Sequence, residues 1–526
     1  LQEDAGPGWK KYLIVHPFVF AALPVVLLLT IAKNELLPEE TLPALIALEV
    51  LVSCAFAIAC LLLRDVSKAA IGASFFLISL FGYRIWQISL EMYWPLVVSQ
   101  PWIALVSFFV VIILALKLFL VGCWNFFGKE IALDFPRMNG VLNVISSLLL
   151  IMNVAPLVLY EISQQEAFVK ERTALQKPLD AVKFKSNFTE SEKPDIYYII
   201  LDGFAAPSSM KEFWNYDDPG FVDFLKGKGF YVAEQSLSNF DRTEFSLCSS
   251  LNMNYINDIR DHNKEEVSGL VFMRLIQDCA IVRAVKELGY QYVSVSSGSF
   301  GTDHILTADH VVKVNCVNHF FRAVAYCTPW WSLEYYFPVL RDFYGDTRLA
   351  AGTRMSEILG SKSPKFVFIH TDLPHAPYLF DENGNRLKLP AGLIPDWQPP
   401  LSHYKQWQFC IKECEKWIDQ IQKATAGKAI IIVQSDHGSG LRMKETVDWY
   451  NERMRILNAY YLPGENKKAA LYKTITPVNT FRVVLNSYFD AKLPLLKDQS
   501  YCAPVWEKPF QWQEVTSEIR FPGVTR

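Results

Sequence analysis

Five apolar stretches within the first 160 residues constrain this chain more than any other feature. They are Tyr12 to Ala32, Leu42 to Leu63, Ala69 to Ile88, Pro101 to Leu120 and Val141 to Tyr160. About 20 mostly apolar residues are needed for a helix to cross a bilayer, where no water is present to satisfy the backbone. Each stretch meets that length, although Arg84 lies inside the third. Of the 526 residues, 51% are hydrophobic, with 36 Phe and 14 Trp, and the excess sits in the first third. That excludes an ordinary soluble protein. The first stretch is long enough to span and is succeeded by others, so no cleavable leader is needed to explain it.

Basic residues beside the spans set an orientation. Lys10 and Lys11 precede the first, Arg64 and Lys68 separate the second and third, and Lys117, Lys129 and Arg137 cluster between the fourth and fifth. The alternate loops, KNELLPEE and EMYWPLVVSQ, hold a single Lys. The expected amino terminus is therefore inside, and an odd number of spans puts everything after Tyr160 outside. Glu49 and Arg84, ionisable at membrane depth, are functional candidates, with snorkelling at a helix end as the plainer alternative.

Residues 161–193 are polar and mixed in charge. They read as a juxtamembrane helix and linker with a stop near Pro178. Phe168, Leu175, Leu179 and Val182 are placed to rest on the membrane surface or on the globular domain. The net charge of -3, from 51 basic and 54 acidic residues, gives no nucleic-acid-binding surface.

From Pro194 short apolar strands alternate with amphipathic helices: DIYYIIL, FVDFLKGKG and FYV, IVRAVKELG and YQYVSVS, KFVFIH, a long HYKQWQFCIKECEKWIDQIQKA, and AIIIVQS. This predicts an α/β sandwich around a largely parallel sheet over residues 194–495, about 300 residues and ample for one core. The tail, 496–526, carries Trp and Pro and has no clear place. Seven of the ten cysteines fall after Tyr160. An oxidising exterior permits disulfides there, with Cys316 and Cys327, and Cys410 and Cys414, the nearest pairs, and Cys248 with Cys279 a further option. The spacings do not form two C-x₂₋₄-C pairs, which argues against a zinc-thiolate site.

Two stretches share one shape. Ala429 to Val433 is a buried-strand pattern that runs through Gln434 and Ser435 into Asp436, His437 and Gly438, and DIYYIIL runs into Asp202 and Gly203. Both deliver carboxylates at strand carboxyl ends, where open α/β sheets place their chemistry, and one adds an imidazole. Together they point to one shared cation, although a plain turn also favours Asp and Gly. Between them lies SNFDRTEFSLCSSLNMNY. Thr243 stands at a helix start, where the dipole favours an anion. Its hydroxyl beside a divalent cation is suited to attack phosphorus. Read from the residues alone, Thr243 is also an ordinary N-cap, and Ser246 or Ser249 would serve as well.

Strand-LDG, then S-N-x-x-x-T at a helix start, then HTDLPHAPY, then strand-SDHG in that order resembles the alkaline-phosphatase superfamily. The nearest branch is the membrane-anchored sulfatase-like transferases, lipoteichoic acid synthases and lipid A phosphoethanolamine transferases, which also carry five spans before an extracytoplasmic catalytic domain. LNAYYLPG and TPVNTFRVVLNSYF resemble that domain's closing segments. The resemblance covers roughly 195–490 and implies a multi-span α-helical membrane domain plus an α/β alkaline-phosphatase-like sandwich. It implies residence in the bacterial cytoplasmic membrane with the catalytic domain periplasmic or extracellular.

The resemblance further implies one divalent metal, zinc or manganese, held by Asp202, Thr243, Asp436 and His437, with Thr243 as nucleophile. His375 resembles the histidine that contacts the transferred group or protonates the leaving oxygen. Asp202 replaces the Glu usual in the five-span transferases and matches the superfamily's phosphodiesterases. His370 reads as a structural donor at a strand end. Asp372, His375 and His403 are the nearby candidates for any second metal, and Ser296 to Asp309 forms a Gly- and Ser-rich loop beside the site.

The implied reaction moves a phosphoryl head group, phosphoglycerol or phosphoethanolamine, from a membrane phospholipid to an envelope glycan or lipid acceptor through a phosphothreonine. The alternative is an anchored phosphodiesterase or phosphatase. The context DRTEFSLCSS lacks the C/S-x-P-x-R needed for formylglycine, which excludes sulfate-ester hydrolysis.

Overall fold

The computed structural model describes residues 13–521 apart from 94–100, 122, 127–128, 133, 181, 183, 186–187, 190–191, 258, 260–267, 300, 304, 315–317, 331, 334–336, 338–345, 388–399, 442–446 and 504–509. Contacts divide the chain into two units. One comprises residues 1–163, 316–344 and 390–392, and the other 164–315, 345–389 and 393–526.

The first unit is helical. The helices are α1 (His16–Ile31), α2 (Leu42–Leu63), α3 (Val66–Tyr93), α4 (Pro101–Val121) and α5 (Phe135–Asp180); the last four contain the expected stretches, whereas α1 is shorter than the expected Tyr12 to Ala32, of which Tyr12 lies outside the described residues. Three helical segments among the described residues, 38–63, 66–90 and 135–177, are long and apolar enough to cross a membrane, and His16–Ile31 and Trp102–Leu114 are shorter apolar helices. Ile31, Leu61, Leu62 and Leu159 point outward and are each at least 70% exposed, a surface that suits lipid rather than water.

Polar contacts also join these apolar helices. The buried His16 ring bonds Ser74 Oγ at 2.6 Å through Nδ1 and Asn139 Oδ1 at 2.7 Å through Nε2, tying α1 to α3 and α5. Asn143 accepts from the Val15 and His16 backbone N–H groups and donates to the Leu13 carbonyl. Arg84 turns to Gln87 of its own helix at 3.0 Å.

Two features differ from the sequence reading. The segment 316–344, expected within the globular stretch, groups with the helical unit. Its His319–Tyr326 helix buries Phe320 and Val324, Asn318 donates to the Glu40 carbonyl at 2.6 Å, and Ser332 meets the Tyr83 hydroxyl at 2.5 Å. In addition, α5 continues without a break past Tyr160 to Asp180. Residues 161–177 are polar but contain no Gly and many good helix formers, so nothing ends the helix there. Phe168 and Leu175 are buried against the globular core, which decides between their two expected resting places.

The second unit is built on a seven-stranded sheet: β1 (Ile196–Leu201), β2 (Tyr231–Val232), β3 (Gln291–Val295), β4 (His310–Val312), β5 (Lys365–Thr371), β6 (Ile430–Ser435) and β7 (Asn458–Tyr461), in the order β2-β7-β6-β1-β5-β3-β4. The pairs β6–β1, β1–β5, β5–β3 and β3–β4 are parallel, and only β7 runs the other way. Along β1, Ile196, Tyr198 and Ile200 enter one core and Tyr197, Ile199 and Leu201 the other. Covered on both faces, such a strand is apolar at every position, which is why DIYYIIL and AIIIV show no alternation. Helix Pro400–Ala424 closes one face through Trp407, Cys410 and Trp417, and helices Thr243–Asn252 and Pro477–Phe489 close the other.

The tail belongs to this unit. Tyr501–Cys502 pairs antiparallel with Gln513–Glu514, Tyr501 N donates to the Asn239 carbonyl at 2.9 Å, and Trp512 packs on Phe240 and Phe245. Cys248, Cys279, Cys327, Cys410 and Cys414 are free thiols, Cys502 Sγ donates to Asp241 Oδ2 at 3.3 Å, and Cys316 lies outside the described residues. Cys410 and Cys414, one turn apart on one helix, fill the core as small apolar groups instead of joining.

Candidate metal centre

The sheet register builds the site. In the parallel β1–β6 pair Leu201 faces Ser435, so the next residues, Asp202 and Asp436, leave adjacent strands side by side. Gly203 turns the chain sharply at φ +65°, and a methyl there would lie 3.5 Å from His375 Cδ2 and 3.7 Å from His437 Cε1. The left-handed φ, not the room around it, is what calls for glycine here, and the His375 and His437 rings lie in ordinary contact range of the turn. Asp436 Oδ1 accepts from the backbone N–H of Gly203 at 2.9 Å and of His437 at 2.8 Å. That leaves Asp436 Oδ2 and Asp202 Oδ1 buried with no hydrogen bond.

His437 completes the set. Its Nδ1–H donates to the Gly438 carbonyl at 3.0 Å, which leaves Nε2 with the lone pair. Nε2 stands 3.2 Å from Asp436 Oδ2, 3.8 Å from Asp202 Oδ1 and 3.1 Å from Thr243 Oγ1. Ligand atoms of Asp202, Asp436 and His437 lie within 4.8 Å of one another. Two orphaned carboxylate oxygens and an imidazole lone pair facing one point fit a divalent cation with oxygen and nitrogen ligands, zinc or manganese.

The charges agree with that fit. Burial pushes the Asp202 carboxyl up, but His375, His370 and His437 outweigh it and hold it well below the usual carboxylate range. Asp436, buried and facing the Asp202 charge, is pushed up to about 7. Burial and the nearby Arg453 hold His437 well below the usual imidazole value, so it is neutral. Two adjacent buried carboxylates cannot both ionise at low cost unless a cation lies between them.

The structure separates the three candidate hydroxyls. Ser246 Oγ donates to the Asp436 carbonyl at 2.6 Å and Ser249 Oγ to the Asn254 carbonyl at 2.8 Å. Only Thr243 turns its hydroxyl to the imidazole. The cap residue of its helix is Arg242 in extended conformation, and Thr243 is the first helical residue. The expectation of Thr243 as N-cap is thus displaced by one residue, and its hydroxyl is not spent on its own helix. Ser238 Oγ also reaches the Asp436 carbonyl, at 2.5 Å, so two hydroxyls staple the Thr243 segment to the tip of β6.

This staple sets up a prediction. Ser246→Ala should lower turnover about tenfold by loosening the position of Thr243. Bound metal, measured by elemental analysis, should stay at the wild-type level, and equal turnover would remove the positioning role.

The weaker candidates lie around this group. His370 Nε2 is 3.5 Å from Asp202 Oδ2, and its Nδ1 meets Thr302 Oγ1 of the Gly- and Ser-rich loop at 2.7 Å. Burial lowers its pKa, but Asp202 outweighs that and raises it. It braces a carboxylate, in keeping with a structural role. Asp372 is pushed up to about 6 by burial against the pull of Arg348. His403, edge-on to Tyr378, is brought down to about 3 by burial and the neighbouring His375. Among the described residues, Asp202, Asp436 and His437 form the one group whose ligand atoms converge; Asp372, His375 and His403 do not join it.

Sequence reasoning missed Arg453. Its Nη2 lies 2.9 Å from His437 Nε2, its Nε donates to the Asp241 carbonyl at 2.8 Å and its Nη1 to the Gly438 carbonyl at 3.2 Å. It stands in the charged run NERMR, where no spacing marks it out.

No protein-family model matches the chain, and no curated protein sequence does. Among solved structures, the C-terminal periplasmic domain of EptC from Escherichia coli is similar over 64% of this chain and 96% of its own, at 12% identity and a TM-score of 0.40. The integral membrane lipooligosaccharide phosphoethanolamine transferase A (EptA) from Neisseria meningitidis is similar over 67% of this chain and 69% of its own, at 13% identity and a TM-score of 0.37. The phosphonate monoester hydrolase of Agrobacterium radiobacter is similar over 59% and 80%, at 10% identity and a TM-score of 0.38. By the order of its motifs, what this chain resembles is the alkaline-phosphatase superfamily in its sulfatase-like, membrane-anchored branch.

Proposed function

We propose that this chain is a membrane-anchored, cation-dependent phosphotransferase that moves a phosphoryl head group from a phospholipid to an envelope glycan or lipid. The observation that carries the reading is the Thr243 hydroxyl, at the start of its helix, turned to His437 Nε2 at 3.1 Å beside the carboxylates of Asp202 and Asp436. Asp202, Asp436, His437 and Thr243 would hold the cation. When bound, it would favour the deprotonated Thr243 oxygen and offset charge on the phosphoryl group.

The remaining steps belong to the chain's own residues. Thr243 Oγ1 forms a bond to phosphorus while the phosphorus–oxygen bond to diacylglycerol breaks. His375, whose ring lies beside Gly203, would give the leaving oxygen its proton. The N-terminal end of the Thr243–Asn252 helix faces the phosphoryl oxygens with its positive dipole end. In the second half an acceptor hydroxyl attacks phosphorus, Thr243 leaves, and His375 takes the acceptor's proton. The apolar helices support a transferase over a simple hydrolase, because donor and product both live in a bilayer and a soluble-ester hydrolase needs one anchor.

The test is incubation of the full chain with zinc or manganese and phosphatidylglycerol or phosphatidylethanolamine labelled in the head group. Label should pass onto the protein at Thr243 and then onto lipid or glycan. Label found only in a water-soluble product would establish the hydrolase instead, and label that never enters the protein would end the phosphothreonine route.

A further inference from the structure

Gln406, on the Pro400–Ala424 helix, is fully buried, and its amide is used at both ends on one loop. Oε1 accepts from the backbone N–H groups of Leu379 at 2.7 Å and Phe380 at 3.2 Å. Nε2 donates to the carbonyls of His375 at 2.9 Å and Pro374 at 3.1 Å, with a longer approach of 3.5 Å to Pro377, whose carbonyl Arg348 already takes at 2.7 Å. N–H groups at one end and carbonyls at the other fix which way the amide faces. One side chain thus grips the backbone on both sides of Ala376.

That grip reaches an imidazole. His375 Nδ1–H donates to the Ala376 carbonyl at 2.7 Å, so the ring's orientation is set by the backbone that Gln406 holds. With Nδ1 on a carbonyl, a proton given or taken by this ring passes through Nε2. Pro374 and Pro377 supply no N–H, so side-chain contacts do much of the fastening of this loop. The next residue on the helix holds the other partner: Trp407 Nε1 donates to the Ala205 carbonyl at 3.2 Å, just past the turn that follows Asp202. The helix itself is anchored in the core through Trp407, Cys410, Trp417 and Ile421. Two adjacent side chains on one anchored helix therefore set the His375 ring against the strand tip, and its Cδ2 lies 3.5 Å from the point a methyl on Gly203 would occupy.

We infer that Gln406 is a positioning residue for proton transfer: through the 374–380 loop it aims His375 Nε2 at the oxygen that leaves phosphorus in the first half-reaction and at the acceptor hydroxyl in the second. This rests on the reading of His375 given above and adds the residue that makes it effective. Gln406 itself is sealed from substrate and acts through the backbone of His375.

The experiment uses the full-length protein in detergent with zinc, in single turnovers that read the first half-reaction alone. Two donors are compared. One is phosphatidylethanolamine or phosphatidylglycerol, whose diacylglycerol oxygen needs a proton to leave; the other is the 4-nitrophenyl ester of the same head-group phosphate, whose phenolate leaves without one. A positioned acid contributes about 10²–10⁴-fold where a proton is needed, and a displacement of about 1 Å costs about 10²-fold. Gln406→Met, similar in size and without the amide, should therefore release diacylglycerol about 100-fold more slowly while nitrophenolate release falls by no more than about threefold. A residue that merely supported the fold would lower both alike. His375→Ala is the control and should show a split at least as large.

Equal losses on both donors in Gln406→Met, or none on either, overturn the inference when His375→Ala shows the split. If His375→Ala also slows both alike, the reading of His375 has failed and the inference with it. A wild type that releases diacylglycerol from neither lipid ends the phosphotransferase reading, and the inference with it. Should Gln406→Met not fold, Gln406→Asn, whose amide stops short of the loop, should show the same split, and a wild-type ratio between the two donors overturns the inference.

Discussion

Thr243→Ala should cost at least about 10³-fold in turnover while the protein still folds, inserts and binds its metal. Loss of a covalent nucleophile removes the reaction path itself, and effects of this size are usual when one is deleted. The geometry adds a control. Ser246 and Ser249 are the rival hydroxyls on the same helix, and both are spent on backbone carbonyls. Neither can substitute without breaking the contact that holds its segment. Thr243→Ser should therefore keep measurable activity, since the oxygen survives and only the methyl that fixes its rotamer is lost. The check is rate together with peptide mass spectrometry for a phosphorylated residue 243. Normal activity in the alanine variant would move the nucleophile elsewhere.

Asp436→Asn and His437→Ala should each weaken metal binding by more than about 100-fold, beyond what loss of an outer partner costs. Elemental analysis of the purified variants reads this directly, and full retention would refute the shared site. The charge state gives a second reading. Asp436 is pushed up to about 7 in the metal-free site, so below that pH it carries a proton that a cation must expel. Asp202 is already ionised and His437 already neutral near pH 6. Zinc titrated calorimetrically at pH 6 in buffers of different ionisation enthalpy should release about one proton from Asp436. That contribution should fade as the pH rises past about 7 and be missing in Asp436→Asn. Equal release in the variant would place the titrating group elsewhere.

Much of the fold is legible in the residues because each signal is local. A run such as Ile430–Val433, apolar at every position, can only be a strand covered on both faces or part of a buried helix, and its length and β-branching decide for the strand. The five apolar stretches are legible for the same reason, since hydropathy over about 20 residues needs no knowledge of neighbours. The strand-end carboxylates could be paired on paper because parallel sheets gather their chemistry at one edge.

What remained illegible depends on distant segments. Nothing in HFFRAVAYCTPWW states that it folds with the helical unit; only its contacts with Glu40 and Tyr83 do. The tail's place against Asn239 and Phe240, and the free state of Cys410 and Cys414, are likewise set by packing.

The chain's own order of residues determined that Asp202, Asp436 and His437 end buried strands and that a hydroxyl-bearing helix start lies between them. It left three hydroxyls equal and gave Arg453 no distinction. Tertiary structure decided both, because a hydrogen bond can be spent only once. Two serine hydroxyls are used on carbonyls brought close by folding, and Arg453 finds the imidazole lone pair only when its helix packs beside the tip of β6.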